Sequence, residues 1–191
     1  MQQQVLHIKN MVCHRCIRVV KEELENSGLE VLDIKLGEVK VSGFVDEKLN
    51  HIQNVLEQNG FELIDDKKAR TVEKIKIAII ELIHQDQQVL NINYSTFLEE
   101  TLGLDYQYLS SLFSSTESIT LEKYIILQKI ERVKELLVYN ELTLSEIAYQ
   151  LGYSSVHHLS NQFKKTTGLS PSHFKKIKED KRKALDKVGN K

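Results

Sequence analysis

Tryptophan is absent from the sequence, and proline occurs once, at Pro171. With only eight glycines besides, the chain is neither collagen-like nor a disordered, linker-rich polymer. No apolar run approaches the roughly 18 residues that a membrane span needs. The opening Met1-Gln2-Gln3-Gln4-Val5 lacks the basic-then-apolar pattern of a secretory leader, so the expected compartment is the cytoplasm. The two cysteines, three positions apart, cannot build a disulfide framework; in a reducing compartment they read as a metal or redox pair. No Ser/His/Asp order, phosphate loop or carboxylate pair stands in a convincing context, so no enzymatic activity is expected.

What is present is a globular composition, 41% hydrophobic and 28% charged, with a net charge of −1 that says little by itself. Its distribution says more. Residues 1–66 hold seven Lys and Arg against twelve Asp and Glu, a net of −5, and residues 67–191 are at +4. The asymmetry predicts two domains with different partners, 1–66 and 67–191. Asp65-Asp66-Lys67-Lys68 marks the boundary and is too short for a flexible tether.

The first 66 residues alternate strand and helix patterns. Val5, Leu6 and Ile8 read as a strand. Ile17, Val20 and Leu24 recur at helical spacing until Ser27-Gly28. Val31 to Leu36 and Val39 to Val45 read as a hairpin turning at Gly37-Glu38. Asp46 is placed to cap a second helix bearing Leu49, Ile52 and Leu56, and Phe61, Leu63 and Ile64 make a last strand. The order β-α-β-β-α-β predicts an α+β, ferredoxin-like domain. From Val72 onward the pattern is all helix.

That helical half contains a weak repeat. Phe113-Ser-Ser-Thr116 aligns with Phe163-Lys-Lys-Thr166 at an offset of 50, and Leu102-Gly103-Leu104 with Leu151-Gly152-Tyr153 at 49. Each copy reads as helix, glycine turn, helix, over about 93–116 and 142–168, with a longer helix from about Leu121 to Tyr139 between them. In the second copy Thr143-Leu-Ser-Glu146 is a capping box, Gly152 supplies the turn, and Ser154 or Ser155 caps the next helix. Val156, Leu159 and Phe163 face inward. His157, His158, Asn161 and Lys164, with Lys165 beside it, are left for base edges and phosphates. Residues 160–191 hold ten Lys and Arg against three acids, a basic tail suited to phosphate attraction.

Residues 140–177, with Leu144-Ser-Glu-Ile-Ala148-Tyr-Gln-Leu-Gly152-Tyr-Ser and Phe163-Lys-Lys-Thr-Thr-Gly168-Leu-Ser-Pro171-Ser-His-Phe174, resemble the signature of the AraC/XylS family of transcription regulators. The resemblance reaches back through Ile130-Glu-Arg-Val-Lys-Glu-Leu-Leu137 to about residue 72. It implies seven helices, forming two helix-turn-helix units joined by a linker helix, with the second helix of each unit in successive major grooves. The family usually has arginine and alanine where this chain has Lys129 and Val133, and lysine lacks bidentate bonding.

The first unit departs further. Between Lys76 and Lys123 there is no Lys or Arg but there are seven acids: Glu81, Asp86, Glu99, Glu100, Asp105, Glu117 and Glu122. Ser114-Ser115 stands where the second unit has Lys164-Lys165. Behind a cap at Asp105, its recognition helix offers Tyr106, Gln107, Ser110 and Ser111, which can hydrogen-bond to bases but neutralise no phosphate. The second unit and the tail are expected to supply most of the affinity. The first is expected to supply sequence preference, or mainly structure.

Met11-Val12-Cys13-His14-Arg15-Cys16 lies between the first strand and first helix. Thiolates at this spacing converge on one soft ion, and the helix N-terminus favours their ionised form. By itself the motif leaves half a zinc site, a redox pair or two plain thiols open; no second pair exists to complete a four-thiolate zinc site. Residues 3–66 also resemble heavy-metal-associated domains, whose loop reads Gly-Met-x-Cys-x-x-Cys. Met11, both cysteines and Gly60-Phe61 match; Asn10 stands where that family has glycine. The resemblance implies Cu(I) or a similar soft ion on Cys13 and Cys16, the only cofactor expected, with His14 facing solvent.

The expectation is therefore a sequence-specific DNA-binding regulator responsive to a soft metal ion. The alternatives are a regulator whose first domain only dimerises or docks a partner, and a metallochaperone-like protein. Expected partners are double-stranded DNA and the transcription machinery, with a homodimer left open and no membrane.

Overall fold

The computed structural model describes residues 3–43, 45–84 and 93–180. Packing divides the chain into two units, Met1–Ile80 with Leu98–Ser118 and Glu81–Phe97 with Ile119–Lys191.

The first unit begins with the expected βαββαβ order. Strands β1 (Gln3–Lys9), β2 (Glu30–Lys35), β3 (Glu38–Ser42) and β4 (Glu62–Leu63) form one antiparallel sheet in the order β2-β3-β1-β4. Helices α1 (His14–Asn26) and α2 (Val45–Gln58) complete the domain. Alternation along β1 buries Leu6 and Ile8 and leaves Val5 exposed. Val20 and Leu24 of α1 and Ile52 and Leu56 of α2 close over the buried side.

Two local expectations are corrected. The hairpin turns at Leu36-Gly37, because Gly37 takes a φ of +74° while Glu38 already pairs with His7 and Lys35. Helix α2 starts at Val45, so Asp46 lies inside its first turn and does not precede it as a cap; the residue before Val45 is outside the described residues.

Helix α3 (Lys67–His84) follows β4 almost directly. The charged stretch read as a boundary is its cap: Asp66 Oδ2 accepts the Ala69 N–H at 2.8 Å. Helix α4 (Tyr94–Leu102) leads to α5 (Tyr106–Glu117), whose Asp105 cap accepts the Tyr108 N–H at 3.0 Å. Leu109, Leu112 and Phe113 are buried beneath α5.

The second unit is built on α6 (Leu121–Tyr139), against which α7 (Leu144–Gln150), α8 (Val156–Thr167) and α9 (Pro171–Asp180) pack. The capping box of Thr143 and Glu146 is formed. The single proline opens α9, where a missing N–H costs nothing. Phe163 meets Phe174 edge to face at 5.6 Å between centroids. Helices α3 to α9 are the seven expected, among the described residues. No helix among these residues is long and apolar enough to cross a membrane.

Candidate nucleic-acid interface and cysteine loop

Helix α8 starts where Ser155, in extended backbone, accepts the His158 N–H at 3.1 Å. Leu159 and Phe163 are fully buried, which sets the helix's rotation. His157, His158, Asn161, Lys164 and Lys165 are then exposed together, with Ser154 and Ser155 at the N-terminal end. Two pairs order this face: Asn161 Nδ2 with His157 Nε2 at 2.9 Å, and Ser154 Oγ with His158 Nδ1 at 3.1 Å. The two lysines occupy the last turn, where the helix dipole favours cations. Of the basic tail, residues 181–191 lie outside the described residues.

On α5 the offset of 50 carries through in burial. Gln107, Ser111 and Ser115 are exposed where α8 has His157, Asn161 and Lys165. Tyr106 is half-buried at the place of Val156, and Ser110 is half-buried with its carbonyl accepting the Ser114 hydroxyl at 2.8 Å. The residue at the place of His158 is Tyr108, 49% exposed. Sequence reasoning passed over Tyr108; the repeat offset was the signal that could have found it.

Against Tyr153, just before α8, lies a half-buried cation. Lys129 Nζ of α6 sits 4.3 Å from the centroid of the Tyr153 ring and 5.8 Å from that of Tyr94. Burial pushes this ammonium down to about 8, while the ring faces favour its charged form. Tyr153 in turn donates its hydroxyl to Gln162 Oε1 at 2.7 Å and meets the His158 ring edge to face at 5.4 Å. The lysine that replaces the family's arginine thus braces two residues of α8 through one tyrosine. Burial raises the phenol of Tyr94 to about 12, so it stays neutral at physiological pH.

The acidic stretch around the first unit is partly compensated. Glu117, at the end of α5, pairs with Lys76 of α3 at 2.7 Å. Glu99 accepts the Tyr106 N–H at 2.9 Å, and Asp105 is the cap. Asp86 lies outside the described residues.

In the cysteine loop, Cys13 is the N-cap of α1, and its Sγ lies 3.4 Å from that of Cys16. Cys13 is exposed and Cys16 half-buried. The Cys16 backbone N–H holds the Cys13 thiol below its usual range; burial opposes this, and the Cys16 thiol, the Arg15 N–H and the Arg15 charge assist. Two sulfurs each about 2.3 Å from one ion can stand at most about 4.6 Å apart, so this pair fits a shared soft ion. His14 is exposed. Among the described residues no group of three His, Cys, Asp or Glu is placed to hold a metal.

The loop's base is held by packing and hydrogen bonds. Met11 is fully buried in the sheet domain's core with Phe61. Asn10 has a φ of +72°, which explains how asparagine serves where the resembling family has glycine. Its Nδ2 donates to the Gly60 carbonyl at 2.9 Å, and its backbone N–H donates to Glu73 Oε1 of α3 at 2.8 Å. Burial raises the Glu73 carboxyl above the usual range, against the opposing Asn10 N–H and the charges of Lys76 and Lys9.

A capped, cation-bearing second helix after a glycine turn defines the class, a helix-turn-helix domain, and residues 98–177 match the family model described as a helix-turn-helix domain. These residues form a helix-turn-helix domain. Curated proteins that match the chain are named as regulators of operons or of transcription. The Msm operon regulatory protein of Streptococcus mutans is 27% identical over 99 residues, 49% of this chain and 36% of that protein. The probable transcriptional regulator LumQ of Photobacterium leiognathi is 23% identical over 146 residues, 76% of this chain and 57% of its own length. The chain thus spans less than two thirds of either relative. Among solved structures, the C-terminal domain of AraT, a response regulator from Geobacillus stearothermophilus, is similar at a TM-score of 0.51 and 25% identity, covering 66% of this chain and 97% of that one. The family match begins at residue 98 and leaves the four-stranded domain outside it.

Proposed function

We propose that this chain is a transcription regulator that binds double-stranded DNA, with α8 as its principal reading helix, and that a soft metal ion such as Cu(I) on Cys13 and Cys16 is its signal. The observation that carries the DNA reading is the exposed α8 face: His157, His158 and Asn161 for base edges, Lys164 and Lys165 for phosphates. Helix α5 offers Gln107, Tyr108 and Ser111 in the same frame without cations, so its part is sequence preference.

The metal reading rests on the paired thiols at the start of α1, 3.4 Å apart, with the Cys13 thiolate favoured by the Cys16 N–H. Both cysteines would hold the ion, which would supply a charge and a crosslink at the head of α1. Two thiolates, with no third ligand among the described residues, suit Cu(I) better than zinc.

The test is selection of bound DNA from a random pool, with and without anaerobic Cu(I). Wild-type protein is run beside Lys164→Ala/Lys165→Ala and Cys13→Ser/Cys16→Ser. The lysine variant should bind weakly on every sequence, and the cysteine variant should lose the response to copper. An unselective pool would sink the DNA reading. Equal Cu(I) affinity in wild type and the cysteine variant would leave the first domain to dimerisation or docking.

A further inference from the structure

We propose that Glu73 is the positioning residue through which the cysteine loop acts on the first recognition helix. The loop contact is direct: Asn10, three residues before Cys13, donates its backbone N–H to Glu73 Oε1 at 2.8 Å. One turn along the same helix, Lys76 pairs with Glu117 at the end of α5 at 2.7 Å. Glu73 and Lys76 stand i and i+3 on α3, so they share one face. The groups also feel one another's charge: Lys76, Lys9 and Glu117 all act on Glu73, and Glu117 and Glu73 both act on Lys9. A cleft lined by Lys9, Glu62, Glu73, Thr116 and Glu117 brings the end of β1, just before the loop, and the end of α5 to one place.

The physics favours movement together over rupture. Glu73 is 5% exposed, and a buried carboxylate that loses its donor is left with its desolvation cost uncompensated. The Lys76–Glu117 pair is itself mostly shielded, its side chains 16% and 26% exposed. Asn10 cannot shift freely either, since its left-handed backbone and its bond to the Gly60 carbonyl fix the direction of its N–H. An ion held between Cys13 and Cys16 resets their spacing and so acts on a loop whose other end is tied to α3, and α3 holds α5. The inference rests on the proposed metal reading for its input but not for its wiring.

Hydrogen exchange on the full chain separates the two. Without metal, Glu73→Ala should speed exchange at residues 10–17 and also at residues 114–118. Lys76→Met should speed it at 114–118 and leave 10–17 unchanged. Glu73→Gln, which keeps an acceptor oxygen, should stay close to wild type and guards against simple misfolding. Faster exchange at 10–17 alone in Glu73→Ala would overturn the proposal. With anaerobic Cu(I), wild type should gain protection at both segments and change its affinity for the selected DNA about fivefold or more. Glu73→Ala should keep its Cu(I) affinity, measured by competition with a chromophoric chelator, yet lose the change at 114–118. Persistence of that change would also overturn the proposal. If wild type binds no Cu(I), the metal reading fails, and the metal-free exchange pattern still decides the role of Glu73.

Discussion

Helices α5 and α8 are the same object built twice for different chemistry. Both are capped by a short polar side chain, Asp105 or Ser155. Both bury a leucine and a phenylalanine at matching positions, Leu109 with Phe113 and Leu159 with Phe163. They part company on the exposed face. At equivalent places α8 carries His157, His158, Asn161 and Lys165, and α5 carries Gln107, Tyr108, Ser111 and Ser115. Buried apolar positions define the frame, and the frame leaves the outward residues free to differ. A helix can therefore keep the buried frame of its counterpart while its exposed face carries a different charge.

The largest effect should show the shared frame. Phe113→Ala and Phe163→Ala should each destabilise the chain by about 3–5 kcal/mol in urea unfolding. A loss below about 1 kcal/mol at either position would mean that the two helices are not equivalently packed.

A second difference lies behind the helices. Tyr153 is 8% exposed, while Leu104, its counterpart after the first glycine turn, is 40% exposed. The Lys129 brace therefore belongs to α8. Its ammonium falls from 10.5 to about 8 in the folded chain. Between those values the unfolded state binds more protons than the folded one, so stability rises with pH across about 8 to 10.5. The rise amounts to about 3 kcal/mol at most, and Lys129→Met should lack it. Denaturant melts of both proteins between pH 7 and 10.5 make the comparison; parallel curves would mean that Lys129 is not desolvated in the folded chain.

Charge separates the helices next. Lys164→Ala/Lys165→Ala should weaken binding on all sequences and reduce the slope of log affinity against log salt by about 2. The converse, Ser114→Lys/Ser115→Lys, should steepen it. No change in the converse variant would show that α5 does not approach phosphate.

The smallest effect concerns preference. Gln107→Ala and Tyr108→Ala should cost about 1–3 kcal/mol on the selected site and much less on unrelated DNA. An equal loss on both would make α5 a nonspecific support.

Much of the frame was legible because its signals are local. Thr143 and Glu146 stand three residues apart and close a capping box, and Asp105 meets the Tyr108 N–H within one turn. Tyr108 was missed for a related reason. A tyrosine fits an exposed or a half-buried place equally well, and the repeat offset of 50 from His158 was the local sign that Tyr108 turns outward, as the rotation set by Leu109, Leu112 and Phe113 has it. The hairpin turn was misplaced by one residue because pairing to β1 and β2 claims Glu38.

By itself the sequence determined the order of elements, the two copies of helix-glycine-helix and the placing of cations on the second. Hydrophobic periodicity, caps and turns are properties of neighbours along the chain. Only the tertiary structure decided which distant polar groups meet: Asn10 with Glu73, Lys76 with Glu117, Lys129 with Tyr153. Such pairs leave no periodic trace, because a buried polar group needs a partner in space and any residue of suitable chemistry can supply it.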